Sequence, residues 1–221
     1  AGRDGNGRHR NAGPLTSVPR VAPGATPAAS RGRLAGRAAV LVPVKDFRRA
    51  KVRLAPVLAG PERAALARRM ATRVVRSAAP LPVAVVCDDV AVASWAEQLG
   101  AEVIWAPGSG LNAAVGAGVA HLAGLGADPI VVAAGDLPHA DGLAWVARFA
   151  GVTVVPDRRH DGTNVIAVPS ASPFPFAYGP GSYRRHLAIA RGLGLPLRVV
   201  YAPHFALDVD LPEDLAAACR P

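Results

Sequence analysis

Lysine is almost missing from this 221-residue chain: two of its 25 basic residues are lysines, Lys45 and Lys51, six positions apart. Cysteine is as scarce. Cys87 and Cys219 stand far apart with no CxxC pair and no histidine at zinc-ligand spacing, which excludes a disulfide framework and a structural zinc site. No run of ~18 uncharged apolar residues occurs, so no segment reads as a membrane-spanning helix. Residues 1–37, rich in Gly, Pro, Ala and Arg, carry no apolar stretch of the signal-peptide kind, and a cytoplasmic protein is expected.

What is present is apolar bulk. Hydrophobic residues make up 51% of the chain, mostly Ala, Val and Leu, enough for one self-sufficient core without disulfides or a structural metal. The net charge of +9 invites a nucleic-acid reading, so its position matters. Seven arginines (3, 8, 10, 20, 31, 33 and 37) against Asp4 put +6 in residues 1–37 and leave +3 for the remainder. That extension has too little to bury and is expected to be disordered, with a single domain over 38–221. A basic nucleic-acid-binding module is the rival class; its binding would fall steeply with salt and vanish on deleting residues 1–37.

From residue 38 onward, short apolar runs alternate with helical patterns. AAVLVPV at 38–44, VAVVC at 83–87, AEVIWA at 101–106 and PIVVAAGD at 129–136 read as strands. Between them lie helical stretches, including PERAALARRMATRVVRSA, with Pro at its start and Leu66, Met70, Val74 and Val75 at helical spacing. The alternation predicts βαβ units and a parallel, doubly wound α/β sheet. After residue 150 the rhythm changes, with strands at 152–156 and 164–169, a Pro/Phe-rich loop, a helix from Ser182, the strand-like LRVVYAP and a helix from Pro212; this part reads as a smaller, substrate-facing subregion.

In such sheets ligands gather beyond the carboxyl ends of the strands. PVKDFRRAKVRLAP at 43–56 follows the first strand and crowds Lys45, Arg48, Arg49, Lys51 and Arg53 into one loop, a cradle for a triphosphate. GSGLNAA at 108–114 opens a helix, offering backbone N–H groups to an anion or a base edge with Asn112 as a two-sided hydrogen-bonder. It matches GxGxxA formally, but lacks the leading βαβ position and the following acidic residue of a dinucleotide fingerprint. GDLP puts Asp136 just past the fourth strand. LDVD puts Asp208 and Asp210 two apart in an expected strand, hence on one face. Three carboxylates without Cys or His nearby point to Mg²⁺ or Mn²⁺. DGTN supplies Gly162 and Thr163, and YGPGSYRRH supplies Gly179, Gly181 and Ser182, with Ser182 as the expected N-cap of a helix suited to phosphate or carboxylate. His186 in that helix reads as structural.

Taken in order, PVKDFRRAKVRLAP, GLNAA, AAGDLP, DGTN, GPGSYRRH and LDVDLPEDL resemble the guanylyltransferases of coenzyme F420 biosynthesis, which activate 2-phospholactate or phosphoenolpyruvate with GTP. The resemblance covers residues 38–219. It implies a Rossmann-like, GT-A-like three-layer α/β/α nucleotidyltransferase with a mostly parallel sheet, akin to the molybdenum-cofactor guanylyltransferases. It further implies Mg²⁺, one ion or two, on Asp136, Asp208 and Asp210, and GTP on Pro43, Lys45, Lys51, Asp88, Gly110, Leu111 and Asn112. Lys45, Lys51 and Arg53 are the expected catalytic cations, and Thr163, Gly179 and Ser182 the expected acceptor contacts. Neither nucleic acid nor membrane is an expected partner. The Lys-poor, Ala/Arg-rich composition resembles that of high-GC actinobacterial genomes, whose members of this family generally use phosphoenolpyruvate; a sugar phosphate or molybdopterin is the alternative acceptor. The basic run Arg158, Arg159 and His160 ahead of Gly162 departs from the family pattern.

Overall fold

A computed structural model describes residues 33–218. Residues 1–32 and 219–221, and with them most of the expected extension, lie outside the described residues. Residues 33–37, assigned to that extension by composition, belong instead to the folded body: Leu34 is buried and its N–H donates to Leu125 O at 2.9 Å, while Arg33 pairs with Glu102. A single apolar side chain with a pocket to fill is enough to recruit a segment whose composition is otherwise that of a tail.

Seven strands form one sheet: β1 (Ala39–Pro43), β2 (Val83–Cys87), β3 (Glu102–Trp105), β4 (Ile130–Ala133), β5 (Val152–Pro156), β6 (Thr163–Val168) and β7 (Leu197–Val199). Their order is β3-β2-β1-β4-β6-β5-β7, and only β6 runs antiparallel to its neighbours. The expected mostly parallel α/β sheet is therefore present. The later strands, expected as a smaller subregion inserted in the same domain, extend this one sheet: β6 pairs directly with β4 through Ala133↔Val165.

Six helices cover it: α1 (Gly60–Ser77), α2 (Val90–Gln98), α3 (Gly110–Gly124), α4 (Ser182–Gly192) and the short α5 (Pro203–Ala206) and α6 (Pro212–Ala218). The period-2 alternation of strand side chains divides the core. Val40, Val42, Val85 and Val131 face α1 and α2, whereas Leu41, Val86, Val132 and Ile166 face α3 and α4. The result is three layers, α/β/α. Buried on both faces, the strands read as near-continuous apolar runs, which is why they are visible in the sequence.

One contact sets where the ligand edge of α3 lies. A Cβ on Gly118 would fall 2.6 Å from Leu41 Cδ2, so the helix rests on β1 at a distance only glycine permits. Gly118→Val would force this contact apart and should destabilise the protein by about 1–3 kcal/mol, the usual cost of overpacking. Urea unfolding of the variant checks it; unchanged stability would mean that the seat of α3 is not tight.

Candidate active site

The carboxyl ends of β1, β2, β3 and β4 lie on one edge of the sheet, and antiparallel β6 starts there, so Thr163 falls beside the GDLP turn; Ala134 N–H donates to Asn164 O at 2.8 Å. Order reverses between β1 and β4, the position at which α/β sheets open a crevice. A cleft occupies it, in two lobes that share Pro43, Val44, Lys45 and Leu111. The first, about 250 Å³, runs from Lys45 to Lys51, Gly135 and Asp136. The second, about 200 Å³, is walled by Cys87, Asp88 and the backbone of Gly108, Ser109 and Gly110. Asp88 is exposed, and burial pushes the neighbouring Cys87 thiol up to about 11, so the cysteine is inert.

After β1 the chain makes two 3-10 turns, Phe47–Arg49 and Val52–Leu54. Asp46 accepts from Arg48 N–H and, with Asp89, binds the Arg48 guanidinium, so this arginine is spent on the loop itself. Lys51 starts the second turn in the left-handed region (φ 55°), a conformation a lysine adopts only when its surroundings enforce it. The enforcement is visible: Nζ lies 2.5 Å from Asp136 Oδ2 and 2.9 Å from Asp210 Oδ1. Burial works to lower the Lys51 pKa, but the two carboxylates outweigh it and raise it. Arg53, mostly exposed, approaches Asp210 at 3.7 Å.

The LDVD segment is extended but pairs with no strand, contrary to expectation. It sits between α5 and α6, held by Val209 N–H to Asp136 O at 3.4 Å and by a small apolar cluster of Leu54, Met70 and Val209. Val209 points into that cluster, so the alternation of an extended chain turns its flanking aspartates the other way. Asp208 Oδ1 is buried with no hydrogen-bond partner, and burial together with the charges of Asp136 and Asp210 pushes its carboxyl up to about 6. Among the described residues no group of three or more His, Cys, Asp or Glu side chains converges closely enough to hold a metal as the side chains stand, with Lys51 set between two of the three carboxylates. Yet an orphaned buried carboxylate oxygen beside two further carboxylates, with oxygen donors alone, fits a hard divalent cation.

Asp214 escaped the sequence reading. It is fully buried in the first turn of α6, where Oδ2 accepts from Asp210 N–H (3.0 Å) and Leu211 N–H (2.8 Å). Its other oxygen takes Arg158 and, at 2.8 Å, Arg159. Burial raises its pKa, but those four donors outweigh the burial and lower it. The Arg158–Arg159 departure thus has a use: it braces the loop of Asp208 and Asp210 against the DGTN loop. Asn164 adds to the brace by donating to Phe205 O and Ala206 O. The signal was the Pro-Glu-Asp start of α6, since an acidic residue in third position commonly reaches back to the cap N–H groups.

On the acceptor side, Thr163 and Ser182 are buried and lie outside the lining of both lobes. Asp157 accepts from Asp161 N–H and Gly162 N–H, and a Cβ on Gly162 would meet its Oδ2 at 2.9 Å, so the turn before Thr163 requires glycine. Gly181, in the left-handed region at φ 73°, caps α4; Ser182 is the first helical residue instead of the expected N-cap, because only glycine takes that φ without strain. Gly181 N–H donates to Asp161. Six of the seven residues that the resemblance gives to GTP line the cleft: Pro43, Lys45, Lys51, Asp88, Gly110 and Leu111. Asn112 does not. Its amide accepts from Tyr178 N–H at 2.7 Å and donates to Tyr178 O at 3.4 Å, tying α3 to the loop that carries Gly179.

This sheet order, with acidic turns and a cleft along one edge, defines an open α/β domain with its ligand crevice at the switch point of the sheet. Solved structures share it: a candidate nucleotide-diphospho-sugar transferase from Desulfovibrio desulfuricans G20 superposes with a TM-score of 0.71 at 16% identity, covering 84% of this chain and 87% of its own. A Mycobacterium tuberculosis protein solved in complex with manganese gives 0.55 at 16% identity, covering 83% and 98%. The chain belongs to the family described as CofC-like guanylyl transferases, whose model matches residues 38–218. A phosphoenolpyruvate guanylyltransferase from Rubrobacter xylanophilus is 38% identical over 185 residues, covering 80% of this chain and 90% of that protein. No helix among the described residues is long and apolar enough to cross a membrane.

Between Ala177 and Thr163 sits His186, fully buried, its pKa pushed down to about 4 by burial and by Arg185. An unfolded chain takes up a proton here near 6.5, the folded one only near 4, so the unfolded state binds more protons between those values and stability falls as pH drops through that window. The slope is up to about 1.4 kcal/mol per pH unit. Urea unfolding of wild type and His186→Leu at pH 7, 5.5 and 4.5 should show the variant less stable at pH 7 but with the shallower decline; parallel declines would mean that the histidine is not buried neutral.

Proposed function

We propose that this chain transfers GMP from GTP to the phosphate of a three-carbon acid, phosphoenolpyruvate or 2-phospho-L-lactate, giving enolpyruvyl- or lactyl-2-diphospho-5′-guanosine and diphosphate in coenzyme F420 biosynthesis. One observation carries the reading: a single cleft leads from the exposed carboxylate of Asp88 past Lys45 to the cluster of Lys51, Asp136 and Asp210. The name of the Rubrobacter relative supports phosphoenolpyruvate as the acceptor.

A carboxylate is an acceptor-only group, and the Watson–Crick edge of guanine presents two donors, N1–H and the 2-amino group. Adenine presents a bare N1 in the same place. In this reading Asp88 selects guanine, with backbone N–H groups at the start of α3 beside it. The triphosphate extends past Lys45, where the lobes meet, towards Lys51 and Arg53. Mg²⁺, as one ion or two, would be held by Asp136, Asp208 and Asp210 and supplies charge neutralisation on the phosphates. The acceptor lies against Thr163, Gly179 and Ser182.

An oxygen of the acceptor's phosphate forms a bond to the α-phosphorus of GTP, the bond from that phosphorus to the bridging oxygen of the β-phosphate breaks, and diphosphate leaves. A phosphomonoester with second pKa near ~6 is already a dianion at neutral pH, so no general base is needed. The chain's contribution is positioning, plus the charge of Lys45, Lys51 and Arg53 on the departing diphosphate.

Incubation with GTP, Mg²⁺ and either acceptor should release diphosphate and a product with the mass of the guanylylated acid; no turnover with either, but turnover with a sugar phosphate or molybdopterin, would sink the acceptor reading. Asp208→Asn should cut kcat on the order of 100-fold or more, against about tenfold on the acceptor's KM for Ser182→Ala. Near-normal turnover of Asp208→Asn at saturating Mg²⁺ and GTP would remove the metal assignment. Asp88→Asn should lower kcat/KM for GTP by about 10- to 100-fold, the worth of hydrogen bonds to a charged group, and narrow the preference over ATP. A GTP/ATP ratio equal to wild type would clear Asp88 of base selection.

A further inference from the structure

His186 takes no part in the chemistry described above, yet its ring touches both acceptor segments. Nε2 accepts from Ala177 N–H at 3.0 Å, two residues before Gly179, and Nδ1 lies 3.0 Å from Thr163 Oγ1. Phe174 and Tyr178 pack against the ring, with centroids 5.8 and 5.0 Å away. A backbone N–H can only donate, so Nε2 carries no proton; the neutral ring keeps its single proton on Nδ1. Nδ1–H therefore donates to Thr163 Oγ1, and the threonine's own hydrogen must point elsewhere. Among the described residues no hydrogen bond takes it up, and Thr163 as a residue is buried.

We propose that His186 is a positioning residue for the acceptor substrate: its Nδ1–H tautomer, fixed by Ala177, compels the Thr163 hydroxyl to act as a hydrogen-bond donor to an anionic oxygen of the substrate. The opposite tautomer would set Nε2–H against Ala177 N–H, two donors face to face. It would also draw the threonine's hydrogen inward and leave its lone pairs facing a phosphate or carboxylate, which accept only. Ring orientation thus decides whether Thr163 attracts or repels the acceptor. The bond to Ala177 also fixes the loop of Gly179 relative to Thr163, so both contacts share one reference point. This inference rests on the placement of the acceptor at Thr163 given under the proposed function.

Two measurements test it. Long-range ¹H–¹⁵N spectra of the wild-type protein at pH 7 should show the His186 ring protonated at Nδ1 and bare at Nε2; the reverse pattern overturns the proposal without recourse to any variant. Steady-state kinetics with phosphoenolpyruvate should show that His186→Leu raises the acceptor's KM about tenfold, the loss of one hydrogen bond to a charged group, with the KM for GTP within about twofold of wild type. In a Thr163→Val background the same change should do almost nothing further, because the residue it acts through is gone. His186→Asn, which keeps an N–H donor near the position of Nδ1, should recover part of the loss. Additive effects on the acceptor's KM, or an equal rise in the KM for GTP, would reduce His186 to a packing residue. If Thr163→Val alone leaves the acceptor's KM unchanged, the placement of the acceptor is what fails, and the inference goes with it.

Discussion

Three aspartates brought to one edge of a sheet repel one another, and the rest of this edge is arranged around that repulsion. Lys51 Nζ, 2.5 Å from Asp136 and 2.9 Å from Asp210, neutralises part of it. Holding the ammonium there demands a left-handed backbone at a non-glycine residue, a strain on the order of 1–3 kcal/mol. Leu54, three residues on, is anchored against Met70 and Val209, and Val209 stands between Asp208 and Asp210. The same apolar contact that draws the lysine loop inward therefore turns the two aspartates away from the cluster, Asp210 onto Lys51 and Asp208 with one oxygen buried and unpaired. Charge and packing are solved by one small cluster.

Asp214 extends this logic outward from the edge. A fully buried carboxylate is tolerated only when its oxygens are filled, and here two backbone N–H groups and two guanidinium groups fill them. Because the backbone donors belong to the loop of Asp208 and Asp210 and the arginines to the loop before Thr163, satisfying Asp214 fixes the spacing of the two loops. Arg158 N–H to Ala206 O and the Asn164 amide repeat the connection in parallel. The loop of Asp208 and Asp210 and the DGTN loop are in this way tied at several points.

Much of this was legible in the sequence, for identifiable reasons. Strands buried on both faces announce themselves as apolar runs, and the residues directly after such runs announce the edge, which is how Asp136 and the basic loop of Lys45 were found, whereas Asp88 came only with the family resemblance. The failures have a common cause too. Leu34 and Asp214 act through partners far away in the chain: Leu125 and Arg158. Periodicity and spacing report on neighbours within one element and are silent about such pairs. LDVD alternates like a strand because Val209 is buried, yet the partner that buries it is a loop and a helix, so alternation was right about the faces and wrong about the ladder.

Ser182 and Asn112 sharpen the distinction between a residue's type and its task. Both are residue types favoured at helix starts, and both stand near one. At α4 a glycine takes the cap because the chain turns there with φ 73°, which releases Ser182 from backbone duty. At α3 the reverse holds: Asn112 is committed on both sides of its amide to Tyr178. A side chain already satisfied on both its donor and its acceptor side has little to offer a ligand, whereas a hydroxyl that only accepts from the protein still has its own hydrogen to give. Asn112, expected at GTP, is the first case; Thr163, expected at the acceptor, is the second in the proposed tautomer of His186, which leaves the threonine's hydrogen unclaimed. In the proposed reading, direct recognition on this face falls to the group whose capacity remains open, and the residues around it serve to keep that capacity pointed at the acceptor.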